Sequence, residues 1–222
     1  MNFLRFIISV FYPNKCITCN ALIDEDVFLC ERCEKRYKPG PSSKIGNKHL
    51  KSCAYSFYYE GDIKMAIWKF KFRRKLSYGS AFSEYMFDCY NEYYFSGSID
   101  YLIPVPMTPK KQRKRGYNQT IELANKLSDK TGIPTINNGL IKVRENSNQH
   151  LSSFKERKLN VKGVYKANKD IDFKGKNVII IDDVLTTGLT MFECAKELKK
   201  AGADSVYGIT IASSSEKALV NK

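Results

Sequence analysis

The sequence lacks both of the common nucleotide-binding fingerprints. Neither G-x-x-x-x-G-K-[ST] nor G-x-G-x-x-G occurs among its 222 residues, so a nucleoside triphosphate site is not predicted. It also lacks an apolar run long enough to span a bilayer. The opening segment MNFLRFIISVFYP has too short an apolar run for a secretory signal and is interrupted by Arg5. We therefore expect a cytoplasmic protein without stable membrane insertion, whose residues 3–11 form a short helix on the core or touch a membrane transiently.

Acidic side chains are scarce. Aspartate and glutamate number 23 against 37 lysines and arginines, which gives a formal net charge of +14. The imbalance is concentrated in residues 101–162, which contain thirteen basic and four acidic side chains. Such a concentration favours a polyanionic partner, although lysines can also be scattered over a surface without a binding role.

Four of the seven cysteines form two C-x-x-C pairs, Cys16 with Cys19 and Cys30 with Cys33. This spacing is typical of tetrahedral zinc, and four thiolates leave no open position, so we predict a structural Zn²⁺ site. The alternative is a thioredoxin-like redox pair, but neither C-x-x-C has the strand-helix context of that motif. The other cysteines have unrelated spacings and are predicted to pack in the core. They are Cys53, Cys89 and Cys194.

Residues 178–190, VIIIDDVLTTGLT, carry the most information about function. Val178–Ile181 is apolar without alternation, as in a strand buried on both faces of a parallel sheet. Asp182 and Asp183 are predicted at its carboxyl end, where two adjacent acids suggest ligand hydroxyls or a cation. A hydroxyl-rich loop and a helix with apolar spacing of three and four follow, so backbone amides would face an anion. The alternative is a strand-loop-helix unit without a ligand.

A second strand-loop-helix unit begins at residues 100–106, DYLIPVP. The loop MTPKKQRKRG follows, and then a helix through IELANKLSDK. Because parallel α/β sheets bind ligands beyond the carboxyl ends of their strands, this loop and the loop after Ile181 should share one edge. The basic residues of the loop are predicted to bind diphosphate, a nucleic-acid backbone or both, or else to be solvated. They are Lys110, Lys111, Arg113, Lys114 and Arg115.

Residues 62–75, DIKMAIWKFKFRRK, interleave aromatic and basic side chains after a helical start. Trp68, Phe70 and Phe72 are predicted either to be buried beside solvated lysines or to stack on the bases of a single-stranded nucleic acid.

The segment at 178–190 resembles the 5-phosphoribosyl-1-diphosphate (PRPP) motif of type I phosphoribosyltransferases, with one additional residue before Thr187-Gly188 and with Leu189 ahead of Thr190. The resemblance implies that Asp182 and Asp183 hold the ribose hydroxyls. In a transfer reaction these two catalytic residues would stabilise the oxocarbenium-like ribose, and Mg²⁺ would neutralise the departing diphosphate. The resemblance also implies that the loop binds the 5-phosphate. The expected PRPP-binding residues are Asp182, Asp183, Val184, Leu185, Thr186, Thr187, Gly188, Leu189 and Thr190.

The order of the cysteine pairs, PVPMTPKKQRKRGYNQ, QHLSSFKERKLNVKGVY and the PRPP motif resembles the ComF/ComFC group, which includes competence proteins used in DNA uptake. The third segment matches that group's second signature, although Ser147 and Asn148 stand where a threonine usually precedes the glutamine. The matching residues are Gln149, Leu151, Arg157, Asn160 and Gly163. The resemblance implies single-stranded DNA, a helicase-like protein and other transformation proteins as partners.

The fold implied is α/β. We expect a parallel sheet flanked by helices of the type I phosphoribosyltransferase kind, with a small N-terminal four-cysteine module. Residues 1–45 would form an N-terminal helix and the zinc finger, and residues 46–222 the phosphoribosyltransferase-like domain. The preferred function is a PRPP- and DNA-binding competence factor. An active phosphoribosyltransferase with an unknown acceptor and a non-catalytic PRPP sensor are the alternatives.

Overall fold

The computed structural model of the protein describes residues 13–25, 27–37, 46–73, 75–94, 97–145 and 154–214, with the side chain of Phe154 excepted. Three predictions lie outside these residues: the helix at 3–11, any role of Arg74, and the positions of Gln149 and Leu151. Within the described part of the chain, no helix is long and apolar enough to cross a membrane.

The described ranges contain six strands and seven helices. The strands are β1 (Cys53–Tyr58), β2 (Tyr101–Pro104), β3 (Leu140–Lys142), β4 (Tyr165–Ala167), β5 (Asn177–Leu185) and β6 (Ser205–Ser213). The helices are α1 (Glu31–Arg36), α2 (Gly61–Arg73), α3 (Ser77–Tyr93), α4 (Pro109–Arg115), α5 (Gln119–Thr131), α6 (Phe154–Val161) and α7 (Leu189–Lys200).

Four of the strands form one parallel sheet in the order β1-β6-β5-β2, and β3 pairs with β4 in a separate antiparallel ribbon. The predicted α/β class with helices on a parallel sheet is therefore confirmed. Strand β5 lies between β6 and β2, and Val178–Ile181 have no exposed surface. This burial on both faces explains why the apolar run does not alternate.

Alternate residues of β5 pack into two apolar layers, one on each face of the sheet. Ile179 and Ile181 pack in a cluster with Phe70 of α2 and Phe82 of α3. Val178 and Ile180 face the other side of the sheet, where α7 and the β3–β4 ribbon supply the packing. The three remaining cysteines are buried in these layers, as predicted. They are Cys53, Cys89 and Cys194.

The four-cysteine region packs against the same layer as α2 and α3. Cys16, Cys33 and Tyr37 belong to one apolar cluster with Ile63 of α2. The Tyr37 hydroxyl donates to a carboxylate oxygen of Asp62 at 2.8 Å, in the first turn of α2. The cysteine region therefore shares its hydrophobic contacts with the α/β part. The division into 1–45 and 46–222 stays a prediction.

The segment predicted as the loop MTPKKQRKRG is largely helical, so that prediction was wrong. The hydroxyl of Thr108 accepts from the Lys111 amide at the start of α4, and Pro109 occupies the first turn. Gly116, with φ of 89°, ends the helix in the left-handed conformation that glycine adopts without steric cost. The basic residues therefore lie on a short helix rather than on an irregular loop.

Candidate functional site

The acid pair lies inside β5 and not at its end. Asp182 pairs in register with Thr210, and the ladder continues to Leu185, which pairs with Ser213. The prediction that the strand ends at the acids was therefore wrong by two residues. The strand is extended because Val184 and Leu185 continue the pairing, with Leu185 buried. The acids thus have fixed backbone positions, which an irregular loop would not provide.

Asp183 is 6% exposed and is held by two side chains from other elements. Lys71 of α2 donates to one carboxylate oxygen at 2.7 Å, and Gln119 at the start of α5 donates to the other at 2.6 Å. A buried carboxylate requires such partners, because an unpaired charge would be costly. The side chain of Asp183 is consequently oriented by contacts from two helices.

Asp182 has a different environment. It is half-buried, and one of its carboxylate oxygens accepts from the backbone amide of Asp183 at 2.8 Å. Burial and the charge of Asp183 raise the pKa of Asp182 to about 7. The proximity of Asp183 in the same buried strand therefore favours the protonated form of Asp182.

Cations surround this pair. Lys142 of β3 is half-buried, and its pKa is lowered by burial and by the nearby charge of Lys111, while Glu145 opposes the shift. Lys111 also forms an ion pair with Glu145 at 3.0 Å. The acid pair is therefore flanked by positive charge that is complementary to an anionic group.

A chain of hydrogen bonds joins helix α4 to Asp183. An Arg115 guanidinium nitrogen donates to the Gln119 side-chain oxygen at 2.5 Å, and the Gln119 amide nitrogen donates to Asp183. The elements are held together because Thr120 donates to the Val105 carbonyl at 2.6 Å, at the end of β2. The expectation that the two strand ends share an edge is consistent with this network.

The loop after β5 requires glycine at position 188. Gly188 has φ of 72°, and a Cβ at this position would lie 2.9 Å from Cε2 of Phe192. Helix α7 starts at Leu189, and no side-chain hydrogen bond caps it among the described residues. Its first backbone amides are therefore available to a phosphate, which the helix dipole also favours. Thr186 is exposed, whereas Thr187 and Thr190 are half-buried.

The five basic residues of α4 do not behave alike. Arg115 is joined to Asp183 through Gln119, whereas Lys111 is exposed and forms an ion pair with Glu145. Lys110, Arg113 and Lys114 are exposed, and no ion pair involves them in the part of the chain that the structure describes. Among the described residues, Arg115 is therefore the member of the five whose contacts lead to the acid pair, and the four lysine and arginine side chains before it in α4 are exposed.

The aromatic residues of α2 are divided between core and surface. Phe70 has no exposed surface, so the suggestion that it stacks on bases was wrong. Trp68 and Phe72 are 42% and 55% exposed. The helical period separates them from Phe70, because residues four apart lie on one face and residues two apart do not.

The four predicted zinc ligands come together. The sulfur atoms of the four cysteines all lie within 4.8 Å of one another, and those of Cys19 and Cys30 are 3.6 Å apart. Tetrahedral Zn–S bonds of about 2.3 Å place sulfurs about 3.8 Å apart, so this cluster could hold a metal ion. Burial raises the pKa of Cys16, but hydrogen bonds from Thr18 and backbone amides outweigh it and give a net lowering to about 6.

Sequence reasoning missed Gln119 and Lys142 as site residues, and it left Lys71 either solvated or in contact with nucleic-acid phosphates. Gln119 belongs to the segment PVPMTPKKQRKRGYNQ, so its position in a recognised motif was the available signal. Lys71 and Lys142 carry no local signal, because only the fold brings them to the acids. Of the second signature, the Gly163 amide donates to Glu193 of α7 at 2.8 Å.

Comparison with known proteins was made by sequence and by structure. The family described as "Phosphoribosyl transferase domain" matches residues 92–221. The chain is similar to Competence protein F of Haemophilus influenzae, with 27% identity over 229 aligned positions that cover 93% of this chain and 96% of that protein. It is also similar to the DNA utilization protein YhgH of Escherichia coli (strain K12), with 31% identity over 107 positions. That match covers 48% of this chain and 46% of YhgH.

Among solved structures, the glutamine PRPP amidotransferase from B. subtilis, complexed with ADP and GMP, aligns with a TM-score of 0.42 and 23% identity. The alignment covers 61% of this chain and 26% of the amidotransferase.

Proposed function

This chain belongs to the phosphoribosyl transferase domain family and is a ComF-type member of it, and from this premise we propose that it binds PRPP and single-stranded DNA. We place this activity in the cytoplasm, in DNA uptake. The names Competence protein F and DNA utilization protein, borne by its relatives, support that role.

One observation carries the PRPP proposal: two adjacent acids, of which Asp183 is oriented by Lys71 and Gln119, precede a glycine loop and a helix start that has no side-chain cap. Asp182 and Asp183 would accept hydrogen bonds from the ribose hydroxyls. The amides at Gly188 and Leu189, with the Thr187 hydroxyl, would bind the 5-phosphate. Because Lys71 already holds Asp183, the sugar must share that lysine or displace it.

The test is calorimetric titration of PRPP with magnesium. The double variant Asp182→Asn with Asp183→Asn is expected to lose binding, because both hydroxyl acceptors lose their charge. Asp129→Asn, an exposed acid at the end of α5, is the matched control and should bind like the unaltered protein. Undiminished binding in the double variant would reject the assigned site.

Binding of single-stranded DNA is supported by the basic surface of α4. Each neutralised phosphate contact on a single strand contributes about −0.7 to the slope of log affinity against log salt. Alanine at the five basic positions should flatten that slope, whereas Lys169→Ala with Lys174→Ala, two exposed lysines in the segment between β4 and β5, should leave it unchanged. An unaltered slope in the five-residue variant removes α4 from the DNA surface. The residues replaced in the five-residue variant are Lys110, Lys111, Arg113, Lys114 and Arg115.

Phosphoribosyl transfer is a second candidate, favoured by the placement of Lys111 and Lys142 near the acid pair. In this reaction an acceptor nucleophile bonds to C1 of the ribose as the bond from C1 to diphosphate breaks. The two lysines would neutralise the departing diphosphate, and bound Mg²⁺ would supply further charge neutralisation. Diphosphate release with a panel of bases and amines would establish transfer. Tight PRPP binding without release would establish a sensor.

A further inference from the structure

Helix α2 presents an apolar face to solvent beside the acid pair. Met65, Trp68 and Phe72 are spaced by three and four residues, so they lie on one side of the helix. They are 51%, 42% and 55% exposed. We call these three residues the aromatic face. The opposite side of α2 carries the buried core residues, including Phe70, so the aromatic face is not required to hold α2 to the sheet.

The two rings of the aromatic face contact each other and are flanked by guanidinium groups. The centroids of Trp68 and Phe72 are 5.9 Å apart. Arg73 lies 5.4 Å from the Trp68 ring, and Arg115 lies 4.7 Å from the Phe72 ring. Cation–π contacts of this kind also occur on ordinary surfaces, where they stabilise only the pair itself. Exposed π faces alternating with cations are, however, the combination that binds the bases and phosphates of single strands.

The surroundings decide between a protein partner and a polyanion. Arg115 belongs to α4, whose exposed residues Lys110, Arg113 and Lys114 extend the positive charge away from Phe72. An acidic strand is complementary to such a surface, and its unpaired bases can cover the rings. A purely apolar protein partner would instead have to bury these charges.

We propose that the aromatic face of α2 is the platform on which bases of single-stranded DNA stack, while Arg73, Arg115 and the exposed side of α4 contact the phosphates. This inference rests on the proposed function for strand binding itself, and it adds the residues that carry the bases. Because Lys71 of the same helix donates to Asp183, single-stranded DNA on the aromatic face would lie next to the proposed sugar site.

Trp68 is the sole tryptophan of the chain, so its emission reports on the platform directly. Titration with an oligo-dT strand should quench this emission, since a base stacks on the ring. PRPP has no aromatic ring and should leave it nearly unchanged. An unquenched Trp68 at saturating oligo-dT, measured in parallel by anisotropy of the labelled strand, overturns the proposal.

Substitutions separate stacking from general apolar contact. By anisotropy, Trp68→Ala and Phe72→Ala are each expected to weaken oligo-dT binding about tenfold, in line with the usual effect of removing one stacking ring. Trp68→Phe keeps a ring and should retain binding within about threefold. Met65→Ala lies on the same face without a ring, and should alter binding less than about twofold. A duplex exposes no base faces, so its binding should be insensitive to all four substitutions.

The same protein preparations provide a control for folding and a test of the proposed function. PRPP binding by calorimetry should be equal in the four variants and the unaltered protein, which shows that each variant is folded. If the unaltered protein binds PRPP but no oligo-dT, the strand-binding part of the proposed function fails. If it binds oligo-dT and the two ring-removing variants match Met65→Ala, this inference alone is overturned.

Discussion

The ion pair between Lys71 and Asp183 is the contact through which helix α2 is fixed to the acid pair. Its atoms are 2.7 Å apart, and the two side chains are 19% and 9% exposed. Coulomb's law at an effective dielectric constant of about 20 gives an attraction of roughly 6 kcal/mol at this distance. Part of that attraction is offset by removing both charges from water.

Removal of the lysine alone leaves Asp183 buried with Gln119 as its remaining side-chain partner among the described residues. Breaking a buried pair in this way costs about 3 to 5 kcal/mol, and the partial exposure of Lys71 reduces the expected cost to about 2 to 3 kcal/mol. Lys71→Met should therefore lower the free energy of unfolding by that amount. Combination with Asp183→Asn should recover much of the loss, because no charge then remains unpaired.

The measurement is urea denaturation followed by circular dichroism, with the two single variants and the double variant forming a double-mutant cycle. Lys69→Met is the matched control, because this lysine is on the same helix and has no ion pair within the described residues. It should change stability by less than about 0.5 kcal/mol. Equal denaturation midpoints for Lys71→Met and Lys69→Met, or a coupling energy near zero, would refute the reasoning.

Three further predictions concern the loop, the half-buried acid and the cysteines. Gly188→Ala combines a left-handed backbone with a Cβ 2.9 Å from Phe192, so urea denaturation should show a loss of about 2 to 3 kcal/mol. Gly163→Ala has the same φ of 72° but open space, and its loss should be near 1 kcal/mol; equal losses would contradict the steric argument. The pKa of Asp182 is raised from 3.8 to about 7, so the folded state retains a proton that the unfolded state has released, and stability should fall as pH rises from about 4 to 7. Asp182→Asn should flatten the pH dependence of the denaturation midpoint over that window, and an identical slope would show that Asp182 titrates normally. Elemental analysis should find about one zinc per chain, and Cys33→Ser should lower both zinc content and thermal stability. Absence of zinc from protein purified without chelators would reject the four-cysteine site.

Much of the sheet was predictable because a strand buried on both faces requires an uninterrupted run of apolar residues. The run Val178–Ile181 has to be apolar on both faces, and the structure places it between two neighbouring strands. The helix over IELANKLSDK also follows from its periodicity and appears within α5. Local chemistry was sufficient in both cases.

The elements that sequence reasoning described wrongly depend on long-range contacts or on short cooperative turns. Helix α4 has seven residues, five of them basic, and mutual repulsion among like charges argues against a helix. Its Thr108 cap, Pro109 and Gly116 are nevertheless ordinary helix-boundary residues, and they were available to the reader of the sequence. In contrast, Lys71 reaches an acid 112 positions later in the chain, and no local pattern specifies that pairing.

The hydrogen bond between Tyr37 and Asp62 has a practical consequence for anyone preparing this protein. It ties the cysteine cluster to the first turn of α2, and Lys71 stands on the last turns of the same helix, about 14 Å along its axis. Because a helix is stiff over this length, a displacement of the first turn of α2 would also displace Lys71. Loss of a metal ion from the cysteine cluster would therefore be expected to shift Lys71 relative to Asp183, so titrations that test the proposed site should compare batches of equal metal content.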